Sequence, residues 1–108
     1  MSDGPVDKTP MTGDAGPPPG MACRIATICN QRGLHARAAA RFVKTAGLFN
    51  AEVRVRKNGT EVSGRSIMGL MMLAAAPGTD IELAATGPQA EAAVTALANL
   101  IECKFDED

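Results

Sequence analysis

The sequence predicts a two-layer α+β domain in the order β-α-β-β-α-β-α. A four-stranded, largely antiparallel sheet is expected, covered on one face by three helices. Three observations lead there. Two segments alternate apolar and polar residues with the period of a half-buried strand. An Asn-Gly pair, Asn58-Gly59, joins one of them to a short partner strand. Two further segments carry apolar residues at helical spacing. Strands with one wet face pair mostly antiparallel, and helices then cover the other face.

The elements follow in order. Residues 1–22 hold nine Gly or Pro and no apolar periodicity, so they read as a disordered tail ahead of a domain at 23–108. Translation could start at Met1 or at Met21, just before the first patterned residue. Residues 23–30 (CRIATICN) mix β-branched and small residues and read as a strand. Residues 31–34 form a loop in which Gly33 is free to take positive φ. Residues 36–47 are a helix, with Ala39, Phe42, Val43 and Ala46 on its apolar side and Gly47 as its stop. In 50–57, Ala51, Val53 and Val55 point inward while Glu52, Arg54 and Arg56 point out; residues 60–63 return after the Asn-Gly turn. Ser66 caps a short apolar helix over 66–74, ended by Pro77-Gly78. Residues 79–86 alternate again, with Ile81, Leu83 and Ala85 inward. Gly87-Pro88 opens a last helix, with Pro88 in the first helical position. Its stripe is Ala90, Ala93, Val94, Leu97, Leu100 and Ile101, running to about Cys103, and the acidic end 106–108 is expected to fray.

Composition narrows the function. The chain has 108 residues, 45% hydrophobic but only three Phe and no Trp or Tyr, so the core must be aliphatic. A domain this small buries a limited core, and any chemistry is expected on its surface. No apolar run approaches the roughly 18–20 residues of a membrane span, and no basic-then-apolar leader opens the chain. A net charge of −1 argues against a protein that coats nucleic acid. Cys23, Cys29 and Cys103 form no CxxC pair and stand far in sequence from the single histidine, so no metal site is expected. They read as reduced thiols behaving as small hydrophobes in a cytoplasmic protein.

One segment looks chemical. Gly33-Leu34-His35-Ala36-Arg37 stands where a loop becomes a helix. The first N–H groups of a helix lack intrahelical partners, and its dipole adds positive character, so an anion is welcome there. Arg37 brings a permanent charge and several donors suited to phosphate. A neutral imidazole at His35 is a good nucleophile, so a phosphoryl group could form on it and be held by the N–H groups of Ala36 and Arg37. A solvated cap without chemistry is the other reading of the same histidine. No Walker-type glycine loop or acidic pair suggests nucleotide or magnesium, so partners must load and unload the group.

Two segments, N-Q-R-G-L-H-A-R-A-A-A-R-F (30–42) and S-I-M-G-L-M-M-L (66–73), resemble the HPr phosphocarrier family of the phosphoenolpyruvate-dependent phosphotransferase system. The resemblance covers about 23–108 and implies an open-faced β-sandwich. It implies that His35 accepts a phosphoryl group from enzyme I and donates it to an enzyme IIA protein, with Arg37 stabilising the phosphate. Many members carry proline one residue after that arginine; this chain has Ala38, which resembles members of the nitrogen-related branch and of some proteobacterial lineages. That departure bears on a sugar-transport role more than on the chemistry. The resemblance also implies that Ser66, which reads by itself as a helix cap, is a site for an ATP-dependent HPr kinase, whose phosphate would oppose loading of His35.

Residues 67–73 hold too many apolar side chains for one buried face. Ile67, Met68 and Met71 are expected to form a docking patch beside His35, rimmed by Arg37, Arg41 and Lys44. The chain is expected to act as a monomer, without a cofactor. Two other roles fit the residues. One is a regulatory module whose phosphorylation controls partners without onward transfer. The other is a domain binding an anionic metabolite at His35 and Arg37, the weaker reading because nothing encloses a ligand.

Overall fold

The computed structural model describes residues 20–106. The strands are β1 (Met21–Thr27), β2 (Glu52–Lys57), β3 (Thr60–Ser63) and β4 (Asp80–Thr86). The helices are α1 (Ala36–Ala46), α2 (Ile67–Met72) and α3 (Ala90–Glu102), followed by a single 3₁₀ turn at Lys104–Asp106. The sheet order is β1-β4-β2-β3, and every neighbouring pair is antiparallel. The expected two-layer α+β architecture is therefore present, and it matches solved structures described below. The tail expected over 1–22 falls mostly outside the described residues; Met21 and Ala22 belong to β1, two residues earlier than expected.

Pairing explains the early start. Met21 and Ala22 lie opposite Thr86 and Ala85, so the strand begins where β4 offers partners. At its other end β1 stops at Thr27, yet the chain stays extended: Ile28 N donates to Thr79 O at 2.8 Å and Gly78 N to Ile28 O at 2.7 Å. The Asn-Gly hairpin forms as its chemistry requires, with Asn58 and Gly59 both at positive φ (50° and 83°).

The inner face is aliphatic with two aromatic exceptions. Val53, Val55, Ile81, Leu83 and Ala85 are buried, as the alternation demands. α3 packs on β1 and β4, and α1 bridges α3 and α2. Ala38, Ala39, Phe42 and Ala46 form the buried side of α1, with Val43 partly buried beside them. The small Ala side chains let α1 lie close to its helical neighbours, and Phe42 is fully buried within the same core cluster.

Three expectations need correction. Pro88 does not occupy the first helical turn: Gln89 is the cap and α3 starts at Ala90. Gln89 is held there by tertiary bonds, since its Oε1 accepts Asn50 N at 2.6 Å and its own N donates to Asn50 O at 3.1 Å. The C-terminal end is not frayed at Asp106. Lys104, Phe105 and Asp106 all adopt positive φ, and this left-handed turn drives Phe105 fully into the core and brings Asp106 within 3.6 Å of Arg41. Glu107 and Asp108 lie outside the described residues. The cysteines do not act as core hydrophobes: all three are free and exposed. The reason differs by position. Cys23 alternates onto the open sheet face, while the Cys29 thiol donates to Ile101 O at the end of α3, 3.3 Å away.

The open face carries a grid of charge. Arg54 contacts Glu52 and Glu61, and Arg56 contacts Glu61 and Glu82, at 3.1–3.4 Å. The hydrogen bond that Arg56 donates to the Glu61 carboxylate, aided by the charge of Glu82, raises the pKa of the Arg56 guanidinium above its ordinary value. These pairs are half-exposed, so each contributes little to stability.

Because stability rests on the aliphatic layer, Phe42→Ala should destabilise the domain by about 3–5 kcal/mol in urea denaturation.

Candidate functional site

His35 lies at the junction of two loops. The chain leaving β1 turns at 30–33, where Gly33 N donates to Asn30 O at 3.1 Å. The Asn30 side chain, fully buried, donates from Nδ2 to Gly33 O at 2.8 Å. Leu34 N then donates to Ala75 O at 2.9 Å, in the loop between α2 and β4. Gly33 has φ +64°, and a Cβ there would collide with that same Ala75 oxygen. Only glycine satisfies both the handedness and the close approach.

His35 is the N-cap of α1, with extended backbone (φ −82°, ψ −177°), and is partly exposed. Its Nδ1 accepts the Arg37 backbone N–H at 3.3 Å. A nitrogen that accepts carries its lone pair in the ring plane, so Nδ1 turns that lone pair toward the start of α1. The backbones of exposed Ala36 and Arg37 occupy the first turn, where amide hydrogens have no intrahelical acceptor. No acidic side chain stands in that turn to compete for them. The junction therefore combines a nucleophile, amide donors and the positive end of an 11-residue helix.

Arg37 continues into a shallow groove of about 500 Å³. Arg41 and Lys44 line it with Leu48, Leu100 and Asp106. The expected basic rim thus runs along α1, with Asp106 engaging Arg41 from the C-terminal turn.

Ser66 caps α2 as expected: its Oγ accepts Gly69 N at 2.9 Å. α2 buries Leu70 and turns Met68 outward at 71% exposure, with Ile67 and Met71 each at 40%. Leu73, just beyond it, is also buried. Sequence reading missed two members of this apolar exposure, Met72 and Leu48, at 78% and 72%. Met72 follows the turn of a short helix whose buried side is only Leu70. Leu48 follows the helix stop, where no periodicity indicates its direction. Lys57 was also missed. It reaches from β2 and donates to Leu73 O at 2.8 Å and Ala74 O at 3.3 Å, satisfying carbonyls at the end of α2. Among the described residues no group of three His, Cys, Asp or Glu could hold a metal ion, and no helix is long and apolar enough to cross a membrane.

Comparison with known proteins places this arrangement. The family model described as the PTS HPr component phosphorylation site matches residues 23–103. The phosphocarrier protein HPr of Neisseria meningitidis is 54% identical over 80 residues, 74% of this chain and 90% of that protein. The phosphocarrier protein NPr of Shewanella violacea is 42% identical over 84 residues, 78% of this chain and 92% of that protein. A crystal structure of HPr from Thermoanaerobacter tengcongensis superposes with a TM-score of 0.76 at 43% identity, covering 80% of this chain and 97% of that one. The protein from that organism has also been solved as a dimer, with a TM-score of 0.64 at 46% identity, covering 74% of this chain and 92% of that one.

Gly33→Ala should remove more than about 2 kcal/mol of stability, combining the left-handed penalty with displacement of the Ala75 loop. Chemical denaturation measures it, and proton exchange at the Leu34 amide should accelerate in parallel.

Proposed function

The chain belongs to the HPr family and is a phosphocarrier of the phosphotransferase system, and we propose on that premise that His35 is the residue that carries the phosphoryl group. Enzyme I would load it and an enzyme IIA protein would unload it. The observation that carries this reading is the Nδ1 lone pair of His35 directed at the first amides of α1. In loading, Nδ1 attacks the phosphorus held on the donor's histidine. The new N–P bond forms as the donor's N–P bond breaks, and the donor imidazole keeps the electron pair. The Arg37 N–H, which the lone pair accepts before reaction, is then available to a phosphoryl oxygen, together with the Ala36 N–H. Both amides and the helix dipole are in place before the charge arrives, so little reorganisation is needed. Arg37 adds its guanidinium from the same turn. Unloading reverses these steps on an acceptor histidine.

Ile67, Met68 and Met71 supply the apolar contact for both partners, with Arg37, Arg41 and Lys44 as the basic rim. A flexible methionine surface suits a carrier that must fit two different proteins in turn. The contact would be small and short-lived, as a relay needs. Ser66 is a second modification point: a phosphate on its Oγ would place close to two negative charges at the start of α2, on the docking face, and oppose acidic partner groups. The carrier acts as a monomer in the cytoplasm, and the likeness to both HPr and NPr proteins leaves sugar transport and nitrogen regulation as its two possible branches.

Incubation with phosphoenolpyruvate and enzyme I should yield one adduct on His35, labile in acid and stable in base. His35→Ala should abolish it, and a label that survives that change would overturn the assignment. Met68→Glu should slow loading by roughly tenfold while leaving the melting temperature nearly unchanged, as expected for an exposed anchor. Transfer at the original rate would remove α2 from the docking face.

A further inference from the structure

Asn30 is the one polar residue that is fully buried among the described residues. A turn on the surface needs no such side chain, because water can satisfy its carbonyl groups. We propose that Asn30 is a positioning residue for phosphoryl transfer, its buried amide fixing the peptide that sets the place of the His35 imidazole. The proposal rests on the reading of His35 as the acceptor.

A single peptide unit, the one joining Gly33 to Leu34, links Asn30 to the His35 backbone. Its carbonyl oxygen accepts Asn30 Nδ2 at 2.8 Å. Its N–H donates to Ala75 O at 2.9 Å. The plane is thus gripped from both sides, by a side chain on one and by the α2–β4 loop on the other. The same carbonyl oxygen accepts a second bond, from the backbone N–H of His35 at 3.0 Å. Tilting that plane would move the His35 backbone with it, and then the contact between Nδ1 and the Arg37 amide.

The neighbouring residues make this peptide dependent on Asn30. Gly33 offers no side chain to hold its own orientation, and its left-handed φ of +64° must be held by its surroundings. Leu34 is buried and anchors the following residue, but a leucine side chain does not select between the two faces of the preceding peptide. The Asn30 amide supplies an uncharged donor long enough to span the turn and reach the Gly33 carbonyl. A buried amide is costly unless bonded, so its presence indicates that the bond matters to the loop. Displacement of a reacting group by about 1 Å can reduce a rate by up to about 100-fold.

The test uses the full chain, enzyme I and phosphoenolpyruvate in rapid-quench transfer. Asn30→Ala should lower the rate at saturating phospho-enzyme I by at least about tenfold. The half-saturating concentration should stay within about twofold, because docking uses α2 and the outer side of α1. Asn30→Asp, similar in size but without the donor, should show the same loss, and Asn30→Ser, with a shorter donor, should recover part of it. Melting curves establish that each variant is folded at the assay temperature, and a variant that is not folded is left out in favour of Asn30→Ser. An unchanged saturating rate in folded Asn30→Ala overturns the proposal. So does a loss confined to half-saturation, which would mark a docking defect. If the unaltered chain itself takes no phosphoryl group on His35, the underlying reading fails, and that failure is visible before any variant is compared.

Discussion

The close contact between two loops, 28–34 and 74–79, organises this molecule. Its centre is the Ala75 carbonyl, which accepts the Leu34 amide and lies against the Cα of Gly33. On one side the contact continues the antiparallel pairing of β1 past the end of the sheet, through Ile28 with Gly78 and Thr79. On the other it ties the exit of α2 to the entry of α1. Lys57 braces the same loop from beneath by binding the Leu73 and Ala74 carbonyls. His35 and the apolar helix α2 are therefore joined through backbone hydrogen bonds of the two loops. Backbone contacts of this kind hold relative position more firmly than surface ion pairs do.

The chemistry exploits what a helix start leaves unfinished. Its first amides need an acceptor, and in the resting protein the imidazole nitrogen provides one. The same donors suit a phosphoryl oxygen better, since a charged acceptor makes a stronger bond. On the proposed assignment of His35, the resting and loaded states would draw on one set of donors. Ala38, where proline is frequent in the family, is fully buried under this turn. Its place is fixed by packing, so the helix start keeps its form without a ring to restrict φ.

Much of this was legible in the residues. The alternation of 51–56 and 80–85 assigned inner and outer faces correctly because one face is dry and the other wet, and that contrast is written directly into polarity. Asn58-Gly59 marked a hairpin because few other pairs accept positive φ twice in succession. His35 stood out because a motif and a helix start coincide there. The failures share a cause, which is that distant contacts outweighed local preference. Pro88 yielded the first helical position to Ala90 because Asn50 holds Gln89 as the cap from another part of the fold. Asp106 belongs to the acidic end 106–108 that reads as frayed, yet a buried Phe105 and an Arg41 partner order the turn at 104–106 against the ordinary backbone preference. Asn30 has the composition of a solvated turn, and nothing nearby in sequence marks it as buried.

The arginine–glutamate grid across the uncovered side of the sheet has a consequence for how the molecule meets other proteins. Because Glu52, Glu61 and Glu82 cancel Arg54 and Arg56 at short range, that side projects little field into solution. Among the described residues, the cations along α1 are met by one carboxylate, Asp106 on Arg41. The molecule is thus electrically two-sided: a quiet back and a positive front. A diffusing acidic surface would experience a torque that turns the front toward it before any contact is made, so collisions become productive by orientation rather than by number.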